Sequence, residues 1–122
     1  LASSLSLIIA QRLARKLCPY CRQPQEPNSQ FQHIGITSTE QIFQANPDGC
    51  NECTHGYSGR TGIYEVMKFD ESLSEALIKG ASVHELEKLA IANGMQTLQM
   101  SGIEKLKQGV TSFSELQRVL YF

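Results

Sequence analysis

All four cysteines of the chain fall into two Cys-x-x-Cys pairs, CPYC at Cys18 and Cys21 and CNEC at Cys50 and Cys53. Any chemistry that uses all four must bring residues 18–21 and 50–53 together across the polar segment between them. Three chemistries are open at the outset: a redox couple, two disulfides, or one metal site. A redox pair of this type sits at the start of a helix, where the positive end of the dipole stabilises the thiolate. Here the preceding residues predict a helix that ends at the pair, no strand is predicted before it, and the second pair would have no role. Disulfide frameworks suit small exported chains, and nothing in the sequence indicates export. Two knuckles match a tetrahedral four-thiolate zinc site, with sulfurs about 2.3 Å from the ion, whose charge offsets that of the thiolates. Cys18, Cys21, Cys50 and Cys53 are therefore read as ligands of a structural Zn²⁺, with iron in a rubredoxin-like site as the alternative ion. Four thiolates leave no open coordination position, so no catalytic residue is assigned. His55 follows Cys53 closely enough to replace a cysteine, but a solvated loop histidine is the commoner outcome, and His33 and His84 have less to recommend them.

The 122 residues suffice for one ordinary domain with a single core or two small ones. Eleven Lys and Arg against twelve Asp and Glu give a formal net charge of −1, which is no electrostatic footprint for nucleic acid. No apolar run exceeds the length of residues 7–10, far short of the roughly 18 residues that cross a bilayer as a helix. The opening LASSLSLIIAQ lacks an initiator Met, a basic leader and a long apolar stretch, and so reads as part of something larger and not as a secretory signal.

Leu5, Ile9, Leu13 and Leu17 form an i, i+4 ladder, with Ile8 beside it and Arg12, Arg15 and Lys16 near its end, which predicts an amphipathic helix over residues 1–17. Pro19 argues that it stops at Leu17 or Cys18. Residues 24–59 are rich in Pro, Gln, Asn, Ser, Thr and Gly, an irregular segment with one short helix near residues 38–44, and it needs a staple. In GRTGIYEVMKF, the residues Ile63, Tyr64 and Val66 predict a strand of five or six residues. Four helices are expected after it. Asp70 caps one over residues 73–79, Ser82 and Glu85 form a capping box for a second ending at Gly94, and Thr97 starts a third ending at Gly109. Thr111, or Ser112 with Glu115, starts a fourth. The expected fold class is α+β and mostly helical: an N-terminal helix, a tetracysteine zinc module with a short strand or hairpin, then a bundle of about four helices.

Three runs, LASSLSLIIAQRLARKLCPYCR, GCNECTHGYSGRTGIYEVM and GMQTLQMSGIEKLKQGVTSFSELQRV, resemble the C-terminal region of the secretion ATPases of type II secretion and type IV pilus assembly. The residues that carry it are Gln11, Arg12, Leu13, Arg15 and Leu17 before the first knuckle, and Gly56, Tyr57, Gly59, Arg60, Gly62, Ile63, Tyr64 and Glu65 after the second. The resemblance implies that residues 1–17 are the terminal helix of a RecA-like ATPase core, 18–60 a tetracysteine zinc module, and 61–122 a strand plus a C-terminal helical domain. It implies a parent that binds ATP and Mg²⁺ and works as a homohexamer in the cytoplasm, peripheral to the inner membrane. There it would meet neighbouring subunits and an inner-membrane platform protein, and no nucleic acid. The chain itself has no G-x-x-x-x-G-K-[ST] phosphate loop, since its Gly-rich stretch, residues 56–62, has no lysine and leads into a predicted strand. A structural or coupling role without catalysis by this portion alone is expected.

The alternative is a free-standing zinc-ribbon adaptor for protein or nucleic acid. It would place basic and aromatic residues around the knuckles, yet between Cys18 and Cys53 Arg22 is the one Lys or Arg, with Tyr20, Phe31 and Phe43 as the aromatics. Arg12, Arg15, Lys16 and Arg22 are expected mainly as a solvated face, with contact to an acidic partner as the sharper reading. Arg60, between Gly59 and Gly62, is expected in a structural salt bridge, with Glu65 as one candidate partner.

Overall fold

In the computed structural model, which describes residues 6–26, 29–37 and 40–120, the first element is a strand and not a helix. β1 (Ser6–Leu17) pairs antiparallel with β4 (Tyr57–Phe69), Ile9 opposite Val66 and Arg12 opposite Ile63, with a register shift between Arg15 and Leu17. The expected helix over residues 1–17 is thus corrected for residues 6–17; residues 1–5 lie outside the described residues. The reason is in the spacing. Leu5, Ile9, Leu13 and Leu17 recur every four residues, which fits one face of a helix and equally one face of a strand with every second inward position skipped. Pairing with a long β-prone partner decides it, and Leu7, Ile9 and Leu13 then share a face. β4 also runs well beyond the five or six residues expected.

The segment between the knuckles contains β2 (Gln23–Gln25), α1 (Ser29–His33) and β3 (Ile42–Gln44), with β2 antiparallel to β3. The short helix therefore lies earlier than residues 38–44, where Ile42 instead turns its side chain into the core; residues 38 and 39 are outside the described residues. Four helices follow β4, as the sequence predicts: α2 (Glu71–Ile78), α3 (Val83–Ala92), α4 (Leu98–Lys107) and α5 (Phe113–Leu120). The caps are those read from the sequence. Asp70 accepts the Leu73 amide, Ser82 the Glu85 amide and Thr97 the Met100 amide, and of the two candidates at α5 it is Ser112 that accepts the Glu115 amide at 3.1 Å.

The core draws on both strands of the long ribbon, the middle segment and the last two helices: Ala14 from β1, Phe31 and Ile36 from α1 and the turn after it, Ile42 from β3, Ile63 from β4, and Leu106, Phe113, Leu116 and Leu120 from α4 and α5. Phe31 meets Phe113 edge to face at 4.9 Å between ring centroids. The polar middle segment thus contributes apolar anchors to the same core as the helices. The far end of the β1–β4 ribbon remains open, with Leu7, Ile8, Ile9, Tyr64 and Val66 exposed. No helix among the described residues is long and apolar enough to cross a membrane.

Candidate metal centre

The first knuckle begins where β1 ends. The Cys18 amide donates to the Gly56 carbonyl at 2.9 Å, and the Arg22 amide donates back to the Cys18 carbonyl at 3.1 Å, closing the turn that carries Cys18 and Cys21. The second knuckle is closed by its own backbone: the Cys53 amide donates to the Cys50 carbonyl at 3.3 Å, and the Cys50 amide to Cys53 Sγ at 3.2 Å. Thr54 and Tyr57 then form a one-pair bridge across a turn at His55 and Gly56, both with positive φ, which returns the chain into β4. Because Cys18 hangs on Gly56, the two knuckles are registered by the same ladder that pairs β1 with β4.

All four sulfurs lie within 4.8 Å of one another. Cys18 and Cys50 are 3.6 Å apart, and Cys21–Cys53 and Cys50–Cys53 are each 3.7 Å apart. The cysteines are free thiols and not disulfides. A regular tetrahedron of sulfurs with bonds of about 2.3 Å to a central ion has edges of about 3.8 Å, so the sulfur frame already has the dimensions of a tetrathiolate site. Cys18 is buried and Cys50 is exposed. Burial pushes the Cys18 thiol up, but the amides of Tyr20 and Cys21 and the Cys50 thiol outweigh it and draw Cys18 down to about 7. Burial and then the thiols of Cys53, Cys50 and Cys18 push Cys21 up to about 12. Thiols this close resist ionising together, which is the electrostatic condition that a bound cation relieves. The group can hold a metal ion.

All four cysteines predicted as ligands are therefore brought together, and the metal-capable cluster among the described residues contains no histidine. His33, His55 and His84 are exposed. A strand and not a helix precedes Cys18, so no helix end disfavours its thiolate. The basic residues near the first knuckle are not simply a solvated face. Arg15 pairs with Glu115 at 2.9 Å and lies 4.3 Å from the Tyr57 ring centroid, and Arg22 donates to the Gly109 carbonyl at 2.8 Å. Arg12 and Lys16 are exposed, as expected. Glu65, offered as a partner for Arg60, instead accepts the Leu98 amide at the start of α4, and Arg60 is exposed. Sequence reasoning missed Glu115 as an anchor. Its one signal was a place in a possible capping box, which does not reveal partners 100 positions away.

The stretch 56–62 enters a strand, as predicted, and not a phosphate-cradling loop before a helix. Residues 1–118 match the sequence profile of the family described as Type II/IV secretion system protein. Relatives include the type IV pilus assembly ATPase PilB of Acinetobacter baylyi, 41% identical over 98% of this chain and 21% of its own length. The PilB of Myxococcus xanthus is 43% identical over 93% of this chain and 21% of its own. The type II secretion system protein E of Aeromonas hydrophila is 37% identical over 98% and 24%. The chain thus spans about a fifth to a quarter of the length of these curated relatives.

Proposed function

The chain belongs to the family of type II/IV secretion system proteins, and we propose that it is the zinc-binding and helical portion of an ATPase that powers type II secretion or type IV pilus assembly. The observation that carries this reading is the convergence of Cys18, Cys21, Cys50 and Cys53 on one tetrahedron-sized frame within a chain matched along nearly its whole length by PilB and secretion protein E relatives. In this reading the four thiolates hold one Zn²⁺, which has no redox chemistry and fixes the two knuckles to each other. Residues 1–17 belong to the ATPase core, 18–60 form the metal module, and 61–122 supply a strand and the helical domain. The exposed face with Leu7, Ile9 and Leu13 packs against the rest of the subunit. ATP and Mg²⁺ bind in that remainder, and the full protein acts as a cytoplasmic homohexamer against an inner-membrane platform protein.

Its role is structural and coupling: the module ties the ATPase core to helices that give or receive motion. The test has two arms. Nucleotide titration of this chain should show no binding at millimolar ATP and no hydrolysis. The full-length ATPase carrying Cys50→Ser and Cys53→Ser should lose export or piliation. Hydrolysis by this chain alone, or a double variant that assembles, hydrolyses ATP and supports export or piliation normally, would overturn the reading.

A further inference from the structure

Arg22 takes part in two structures at once. Its backbone amide closes the turn of the first knuckle by donating to the Cys18 carbonyl at 3.1 Å. Its side chain leaves the knuckle altogether: Nη1 donates to the Gly109 carbonyl at 2.8 Å, and the guanidinium carbon lies 4.0 Å from the centroid of the Phe43 ring on β3. Gly109 is the residue that ends α4. The Gly109 amide donates to the Leu106 carbonyl at 3.1 Å and the Val110 amide to the Lys105 carbonyl at 3.0 Å, the paired bonds of a Schellman motif, with Gly109 at φ +75°. A cation here also faces the negative end of the α4 dipole. The fit is close. A Cβ on Gly109 would collide with Arg22 Nη1 and come within 3.1 Å of Phe43 Cδ2.

The other flank of the same knuckle holds the same turn. The Leu17 amide, one residue before Cys18, donates to the Val110 carbonyl at 2.8 Å, and the Thr111 hydroxyl donates to the Arg15 carbonyl at 2.9 Å. Residues 109–111 are therefore gripped from both sides of Cys18 and Cys21, by backbone before the knuckle and by a guanidinium after it. Only the second grip depends on how the knuckle itself is folded.

We propose that Arg22 is a positioning residue for the metal centre: stacked on Phe43 and bonded to Gly109, it latches the first knuckle to the C-terminal end of α4, so that metal occupancy and the order of the α4–α5 turn are coupled. The inference rests on the reading that the four cysteines hold zinc. With the ion in place, the turn at residues 18–21 is fixed and Arg22 is aimed at Gly109. Without it, the two knuckles are joined only by sulfur contacts of 3.6–3.7 Å, the turn at residues 18–21 loses its cross-link, and the guanidinium is no longer held at the helix end. Coupling of this kind is reciprocal, so releasing Arg22 must weaken the metal site as metal removal loosens the turn.

The test uses the zinc-loaded chain, with zinc affinity from competition against a chromogenic chelator and amide exchange at Val110 with and without zinc. In the wild type, zinc removal should speed Val110 exchange more than exchange at Asn93, the residue that caps the C-terminal end of α3. Arg22→Gln should bind zinc about tenfold more weakly, with Val110 exchange no longer responding to zinc. Arg22→Lys should keep part of both effects, since it retains the cation and a donor but not the planar stack. Phe43→Leu gives an independent reading should Arg22→Gln not fold, and it should weaken zinc in the same direction. A variant with unchanged zinc affinity that is destabilised equally with and without zinc would make Arg22 merely structural and overturn the latch alone. A wild-type chain that binds no zinc would overturn the metal reading and the latch with it, before any variant is made.

Discussion

Glu115 on α5 accepts the backbone amide of Arg15 on β1 at 2.7 Å, a bond that spans 100 positions of sequence. The same carboxylate takes Nε and Nη2 of Arg15 at 3.2 and 2.9 Å, and Nε and Nη2 of Arg118 at 3.0 and 2.7 Å. Its side chain is fully buried while both guanidiniums are about half exposed. The last helix is thereby fastened to the strand that leads into the first knuckle, three residues before Cys18.

Removing this carboxylate leaves the part-buried Arg15 amide without its acceptor. Glu115→Ala should therefore cost about 2 kcal/mol or more by urea unfolding, with the exposure of the two arginines trimming the ion-pair share. Burial pushes the Glu115 carboxyl up, but the hydrogen bonds from Arg118 and Arg15 outweigh it and hold it at about 2, below the ordinary 4.5. Because the folded value is the lower one, the unfolded chain takes the proton first. The contribution is complete above about pH 4.5 and is lost as the pH falls toward 2. The stability gap between wild type and Glu115→Ala should narrow over that window, and a Glu115 carboxyl seen by NMR to titrate near 4.5 in the folded protein would contradict the account of the anchor.

Gly56 should tolerate no side chain. Its φ is +92°, and a Cβ there would come within 2.6 Å of the Asn46 carbonyl oxygen and 2.8 Å of Ala45 Cβ, backbone and short side chain that cannot swing aside. Gly56→Ala is expected to destabilise by at least about 2 kcal/mol and, because the Gly56 carbonyl holds the Cys18 amide, to weaken metal retention as well. Thermal unfolding and metal content of the purified variant check both. A variant as stable and as metal-loaded as the wild type would show that the knuckles do not depend on this turn.

The open end of the β1–β4 ribbon should make the chain associate with itself. Leu7, Ile9 and Leu13 are 54%, 61% and 49% exposed and share one face with Tyr64 and Val66, an apolar stripe on a ribbon that is two-stranded among the described residues. Sedimentation velocity over a range of concentrations should show reversible association. The double change Leu7→Thr and Ile9→Thr should reduce it while costing less than about 1 kcal/mol of stability, because β-branched polar residues still suit an exposed strand. A wild-type chain that stays monomeric at high concentration would remove the basis for assigning this face to the rest of the subunit.

What the sequence could and could not reveal follows from the range of the interactions involved. The starts of α2, α3 and α4 were legible because Asp70, Ser82 and Thr97 act on amides three residues ahead, and Ser112 does the same for α5. The gathering of the cysteines was legible because two short knuckles leave few other uses for four thiols. β1 was not, because a four-residue apolar spacing satisfies both periodicities and its partner strand, β4, begins only at Tyr57, well outside any local window. The anchors around the site were hidden for the same reason: nothing local to Arg22 points to Gly109, and nothing local to Glu115 points to Arg15. Short-range chemistry located the four cysteines; what holds them in place is long-range.

The most direct measurement is metal content together with X-ray absorption at the metal edge on the chain as purified. Expected is one zinc per chain with four sulfur neighbours at about 2.3 Å, lost when Cys50 and Cys53 are both changed to Ser. A chain with two disulfides and no metal, a red iron-bound protein, or a zinc shell containing nitrogen or oxygen would contradict the assignment of Cys18, Cys21, Cys50 and Cys53 as a closed structural zinc site.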